Sequence, residues 1–147
     1  MDGGGNNIYV TQHVIDWAAA SEAACAAVKA AIELGIRINV AVVDRSGLLI
    51  AFLRMEGAPL HSSEIAIDKA YTAASFGLPT KEWTEALKMH SEGVQRGVIL
   101  RSRFIAFGGG CPIFVSDDLI GGIGVSGGNE TQDEQCAKAG IDVIGDL

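Results

Sequence analysis

The apolar runs of this chain that read as strands are joined in pairs by turns too short for a parallel crossover, which commits the fold to a mostly antiparallel sheet. Ile38 to Val43 is a β-branched run, Asp44-Arg45-Ser46-Gly47 reads as a turn, and Leu48 to Leu53 is a second run; together they predict a hairpin. Two or three more strands are expected beyond Arg101, with Ser116-Asp117-Asp118 as their hairpin turn.

Helical patterns surround these runs. The first long helix is expected to start near Val14, with Thr11 as N-cap and a staple between Val10 and Ile15. Val14, Ala18, Ser21, Cys25, Val28 and Ile32 recur at four-and-three spacing as its buried stripe, and Gly35 stands where a C-cap glycine belongs. Ser62 to Phe76 predicts a second helix with Ile65, Ala66, Lys69, Ala70 and Ala73 on one broad face, stopped by Gly77 and Pro79. Thr80 is expected to cap a short helix, and a less patterned polar stretch with His90 runs from Lys88 to about Arg101. Thr131-Gln132-Asp133-Glu134 has the form of a capping box opening a terminal helix, with Cys136, Ala137, Ile141 and Ile144 inward. The fold class is therefore α+β: an antiparallel sheet of about five strands flanked by helices. Residues 1–9 are expected as a flexible N-terminus and 10–147 as one domain.

Two apolar runs of the last third end in glycines. Phe104 to Phe107 runs into Gly108-Gly109-Gly110, and Leu119 to Ser126 runs into Gly127-Gly128, followed by Asn129-Glu130-Thr131-Gln132-Asp133. Such endings suit tight turns and close strand packing, or a backbone-lined concavity to which the polar cluster supplies side chains. Neither glycine group passes the phosphate-loop tests, because Gly108-Gly109-Gly110 leads into a strand with no helix and no Gly-Lys-Ser/Thr.

Charge narrows the partners. The net charge is −7 and the eleven Lys and Arg are dispersed, so nucleic acid is not an expected partner. No apolar run approaches membrane-spanning length, and the first residues lack the basic and apolar segments of a signal peptide, so a cytoplasmic setting and no membrane partner are expected. The three cysteines show no zinc spacing; Cys25 and Cys136 read as small core residues, and Cys111 as core, turn or a thiol facing the glycine-lined site.

Four segments carry a resemblance. Asn39 to Gly47, Glu64 to Ala73, Phe107 to Pro112, and Ile123 to Gly128 with Gln132-Asp133 look like the GlcG/HbpS family, over nearly the whole chain. The resemblance implies an antiparallel sheet with helices on its faces, assembly into a homo-oligomer, and kinship with haem-binding proteins and with the C-terminal domain of PduO-type corrinoid adenosyltransferases. It implies fold more firmly than chemistry, because one fold hosts many functions.

Lys69 is the leading candidate for chemistry. A lysine partly desolvated among alanines suits a base, a Schiff-base nucleophile or a carboxylate anchor, and equally a structural ion pair. The same Lys-Ala step in the related family adds weight to it. Glu64 is a lesser candidate on that helix, and His61, just before it, is either a proton carrier reaching the same pocket or a solvated residue of the helix start. Glu130, Gln132 and Asp133 sit at a helix N-terminus, where free N–H groups favour an anion and where acidic residues also serve as caps. His13, expected in the first turn of the first helix, is either an exposed residue or, on the family resemblance, a haem axial ligand.

Two functions follow. One is a small-molecule-binding protein of GlcG/HbpS type, with haem or a related tetrapyrrole as first ligand, His13 as axial ligand, and Gly108, Gly109, Gly110, Gly127, Gly128, Glu130, Gln132 and Asp133 around a ligand. The other is a cofactor-free hydrolase, deaminase or tautomerase acting on an enamine, imine or dienol carboxylate of aromatic catabolism. There the glycine-end amides would hold a carboxylate or oxyanion while Lys69, His61 or Glu64 moves protons.

Overall fold

The computed structural model describes residues 7–144; residues 1–6 of the expected flexible N-terminus, and 145–147, lie outside that range. After an irregular segment the order is α1 (Trp17–Leu34), β1 (Asn39–Asp44), β2 (Leu49–Arg54), α2 (Ser62–Phe76), α3 (Trp83–Ala86), α4 (Glu92–Gly97), β3 (Gly110–Val115), β4 (Asp118–Ser126) and α5 (Glu130–Ile144). One antiparallel sheet runs β2-β1-β4-β3, with helices on both faces, as the hairpin argument requires.

The sheet has four strands, not about five. The apolar run Phe104 to Phe107 is not a strand, because side chains take up its ends. Phe104 packs edge-on against Phe76 and Trp83, at centroid distances of 5.9 and 5.0 Å, while the Thr72 hydroxyl donates to Arg103 O and accepts from the Ile105 amide. Both interactions tie this segment to α2.

Alternation along β1 divides the core. Val40 and Val42 face α1 and α5 together with Ile123 and Val125 of β4, whereas Ala41 and Val43 face Ala66, Ala70 and Ala74 of α2. Each fully buried valine contributes about 1.5–3 kcal/mol by leaving water. Helix α2 lies on the glycines of β4: a Cβ on Gly124 would run into the Ala66 carbonyl, so nothing larger fits between helix and strand.

Three local expectations are corrected. Helix α1 begins at Trp17 and is capped by Asp16, whose Oδ2 accepts from the Ala18 amide at 3.0 Å, so Thr11 caps nothing and His13 precedes the helix. Its buried face is Ala20, Ala23, Ala24, Ala27 and Ala31; the stripe expected inward leaves Val14, Ala18, Ser21, Cys25 and Ile32 exposed. Alanine on the inner face lets α1 approach α5 and the sheet closely, which bulkier residues would prevent. Thr80 lies in a 3-10 turn, and its hydroxyl accepts from the Gly110 amide at 2.9 Å instead of capping a helix. Gly35 and Gly77 close α1 and α2 in the left-handed conformation, as their positions predict. Among the described residues no helix is long and apolar enough to cross a membrane.

Candidate functional site

Lys69 is enclosed. Only 1% of the residue is exposed, and its Nζ donates to Val125 O at 2.8 Å and to Asp133 Oδ2 at 3.2 Å, with the Phe107 ring centroid 5.1 Å away. The glycines explain how a lysine fits here. A Cβ on Gly109 would lie 2.5 Å from Nζ and 2.6 Å from Val125 O, and its φ of +124° lies in the region that side chains avoid. The first glycine ending is thus the wall of a lysine niche.

Burial acts on both partners. Desolvation pushes the Lys69 pKa below its ordinary value against the pull of Asp133, and raises that of Asp133 against Lys69 and the Gly127 and Gly128 amides. Each charge is tolerated because the other is beside it.

The amides expected to be free for a ligand are bonded within the chain. Gly108 N–H donates to Glu130 Oε1 at 2.9 Å, Gly110 N–H to Thr80 Oγ1 at 2.9 Å, and Gly128 N–H to Asp133 Oδ1 at 2.8 Å. Buried donors must be satisfied; carboxylates of the first turn of α5 serve Gly108 and Gly128, and the Thr80 hydroxyl serves Gly110. The capping box is also displaced by two residues: Asn129 Oδ1 accepts from the Gln132 amide and Gln132 Oε1 from the Asn129 amide, at 2.8 and 3.0 Å. Gln132 is therefore spent on the cap, and Thr131 does not form it.

Outside this niche lies a hollow of about 280 Å³ lined by Lys81, Gly108, Glu130, Thr131 and Glu134. Lys81 Nζ meets Glu134 Oε2 at 3.0 Å, and that carboxylate raises the lysine pKa. The pair also borders a wider cavity of about 620 Å³ with Cys111, Phe114, Lys138 and Ile141. Burial pushes the Cys111 thiol up to about 12 and Cys136 up to about 11, so neither is a ready thiolate. Cys25 is exposed, contrary to its expected core position.

His61 and Glu64 are exposed at the start of α2, and neither forms a hydrogen bond or ion pair with Lys69. His13 belongs to the opposite end of the molecule. Its Nδ1 lies 2.6 Å from Oδ2 of Asp118, the first residue of β4, whereas Val125, which Lys69 contacts, is near the last. At about 3.3 Å per residue, the two places are roughly 20 Å apart along the strand. One ligand of modest size in one protomer does not touch both.

The His13 environment is suited to a metal-bound ligand. With hydrogen on Nδ1 donated to the Asp118 carboxylate, Nε2 faces away from it, as where a carboxylate orients a metal-binding histidine. Ile8, Tyr9, Val10, Val14 and Trp17 of the same segment are all exposed, apolar side chains that flank an exposed imidazole in sequence. Arg45 Nη1 is 3.8 Å from the other Asp118 oxygen. Nothing in the sequence marks Asp118 or Arg45 as a site residue. Asp118 reads only as turn chemistry, and its partner is 105 positions away.

Comparison with known proteins gives consistent results. The model of the HbpS-like family, described as haem degrading protein HbpS-like, matches residues 15–142. An uncharacterized 15.0 kDa protein from the dhaT-dhaS intergenic region of Citrobacter freundii is 33% identical over 133 residues, covering 90% of this chain and 94% of that protein. The crystal structure of Klebsiella pneumoniae ORFY superposes with a TM-score of 0.86 at 34% identity, covering 96% of this chain and 97% of that one. A crystal structure described as a PduOC:heme complex gives a TM-score of 0.81 at 31% identity, covering 90% and 96%.

Proposed function

The chain belongs to the HbpS-like family, and from that premise we propose that it binds haem or a related tetrapyrrole, with His13 Nε2 as the axial ligand. The observation that carries the reading is the His13–Asp118 contact of 2.6 Å, which fixes the imidazole with Nε2 outward. His13 precedes the matched span by two residues, so its role rests on this geometry and not on the family match. The relative that was crystallised with heme lends the ligand class its support.

The residues present fit the group. His13 offers a nitrogen ligand, Asp118 orients it, and the exposed apolar residues Tyr9, Val10, Val14 and Trp17 offer a surface against which a flat macrocycle would bury its faces. Bound haem would supply the redox and ligand-binding chemistry of its iron. The protein's own part would be to hold the imidazole through Asp118 and so set the direction from which Nε2 meets the iron. The same apolar segment, with Ile32 of α1, is the proposed contact face of a homo-oligomer in the cytoplasm.

Geometry lends less to the cofactor-free enzyme. Lys69 is sealed beneath Gly109, and the Gly108, Gly110 and Gly128 amides are already bonded to the chain's own oxygens.

The test is a haemin titration followed at the Soret band. A saturable shift at one equivalent per chain is expected in the wild type, weakened by Asp118→Asn and lost in His13→Ala. Equal affinity in all three proteins would refute the assignment.

A further inference from the structure

A second feature occupies the His13 end of the sheet. The β1–β2 turn, α2 and the start of β4 border a cavity of about 310 Å³ lined by Arg45, Ser46, Gly47, Tyr71, Ser75 and Leu119 among others. It adjoins a second of about 170 Å³ that shares Tyr71 and Ser75 and adds Thr72, Arg101, Ser102 and Arg103. In a chain of net charge −7, three of its arginines border one pair of cavities, together with five hydroxyl-bearing side chains and no carboxylate.

The arginines are held with donors to spare. Arg45 spends Nη1 on Leu119 O at 2.7 Å; Arg103 points Nε at Asp68 at 3.1 Å and lies over the Tyr71 ring at 3.6 Å. A guanidinium carries five N–H donors, so both keep most of their fork unused. Three acids lie nearby: Asp44 accepts the Ser46 and Leu48 amides, Asp68 pairs with Arg103 through Nε alone, and Asp118 holds His13 with one oxygen while the other stays 3.8 Å from Arg45 Nη1. Arg103 also takes a positive φ of 69°, unfavourable for a residue with a side chain, and is fixed there by the Thr72 hydroxyl on its carbonyl at 2.8 Å.

We propose that this cleft, formed by Arg45, Tyr71 and Arg103, is a carboxylate-binding site. Fixed guanidinium forks beside hydroxyls match a carboxylate in geometry and charge. Asp118 touches both His13 and Arg45, so the cleft adjoins the proposed iron ligand and is placed to receive the propionates of a haem seated on it. That source of carboxylate rests on the haem reading; the cleft's chemistry does not, and a free dicarboxylate is the other source.

The experiment titrates the wild type and Arg45→Gln with haemin and with haemin dimethyl ester, whose propionates are uncharged, and separately with citrate while following the Ser46 and Gly47 amides by NMR. Haemin is expected to bind the wild type about tenfold more tightly than the ester, with Arg45→Gln removing that preference and sparing the ester. Equal affinity for both porphyrins, or an equal loss of both in the variant, would overturn the proposal. If neither porphyrin binds, the haem reading fails and the citrate arm decides: saturable, Arg45-dependent shifts sustain a carboxylate site, and their absence refutes it.

Discussion

The ammonium of Lys69 and the carboxylate of Asp133, 64 positions apart in sequence, meet at 3.2 Å with both residues almost wholly buried. The pair joins the middle of α2 to the first turn of α5 through the end of β4. Removing one partner leaves an uncompensated charge in the interior, so Lys69→Met is expected to cost about 3–5 kcal/mol at neutral pH. Urea unfolding measures it; a cost below about 1 kcal/mol would mean that the pair is replaceable.

The same variant carries a pH signature. In the wild type the Asp133 pKa is raised above 3.8, so between that value and the folded pKa the native state holds more protons, and this group's contribution to stability falls as pH rises. Lys69, lowered from 10.5, acts in the alkaline window: the unfolded state holds more protons there, and stability rises with pH up to that value. Without Lys69 the attraction that lowers the Asp133 pKa is gone and that pKa climbs further. The cost of Lys69→Met should therefore shrink when unfolding is measured at pH 5 instead of pH 7, and a cost that grows would contradict it.

Gly109→Ala tests the niche from its other wall. A methyl group would meet Nζ and Val125 O at a φ of +124°. Backbone strain and overpacking together are expected to cost about 2–4 kcal/mol. Thermal unfolding reads the effect, and an unchanged midpoint would show that the lysine can withdraw.

Thiol accessibility is a further check. With Cys111 held up to about 12 and Cys136 up to about 11, both are expected to resist a thiol reagent at pH 8 until the protein unfolds. Any fast reaction then belongs to Cys25. Fast labelling of a Cys25→Ser variant would contradict the burial of the other two.

The hairpins, the C-caps of α1 and α2 and the antiparallel sheet are legible in the sequence, because each depends on short-range chemistry. It misplaced the buried face of α1 because nearly every inward position there is alanine, and a hydrophobic period is drawn by the large residues, which in this helix point outward. Asn129 and Thr131 each stand three residues ahead of a suitable capping partner, Gln132 and Glu134, and the reciprocal bonds form at Asn129 and Gln132. Lys69 was visible as a lysine on an alanine face. Its partner was visible only as one of several acids at a helix start, since nothing local links α2 to α5. His13 was singled out, but Asp118 and Arg45, which give it a tautomer and a charged neighbour, are turn residues whose roles arise from the meeting of two sheet ends.

Ligation of haem iron by His13 is read out by His13→Gly with and without added imidazole, following the Soret band and the ferric EPR spectrum. His13→Gly is expected to lose the histidine-ligated spectrum and high affinity, and free imidazole entering the vacated space is expected to restore the spectrum. Wild-type spectrum and affinity in His13→Gly, indifferent to imidazole, would contradict it.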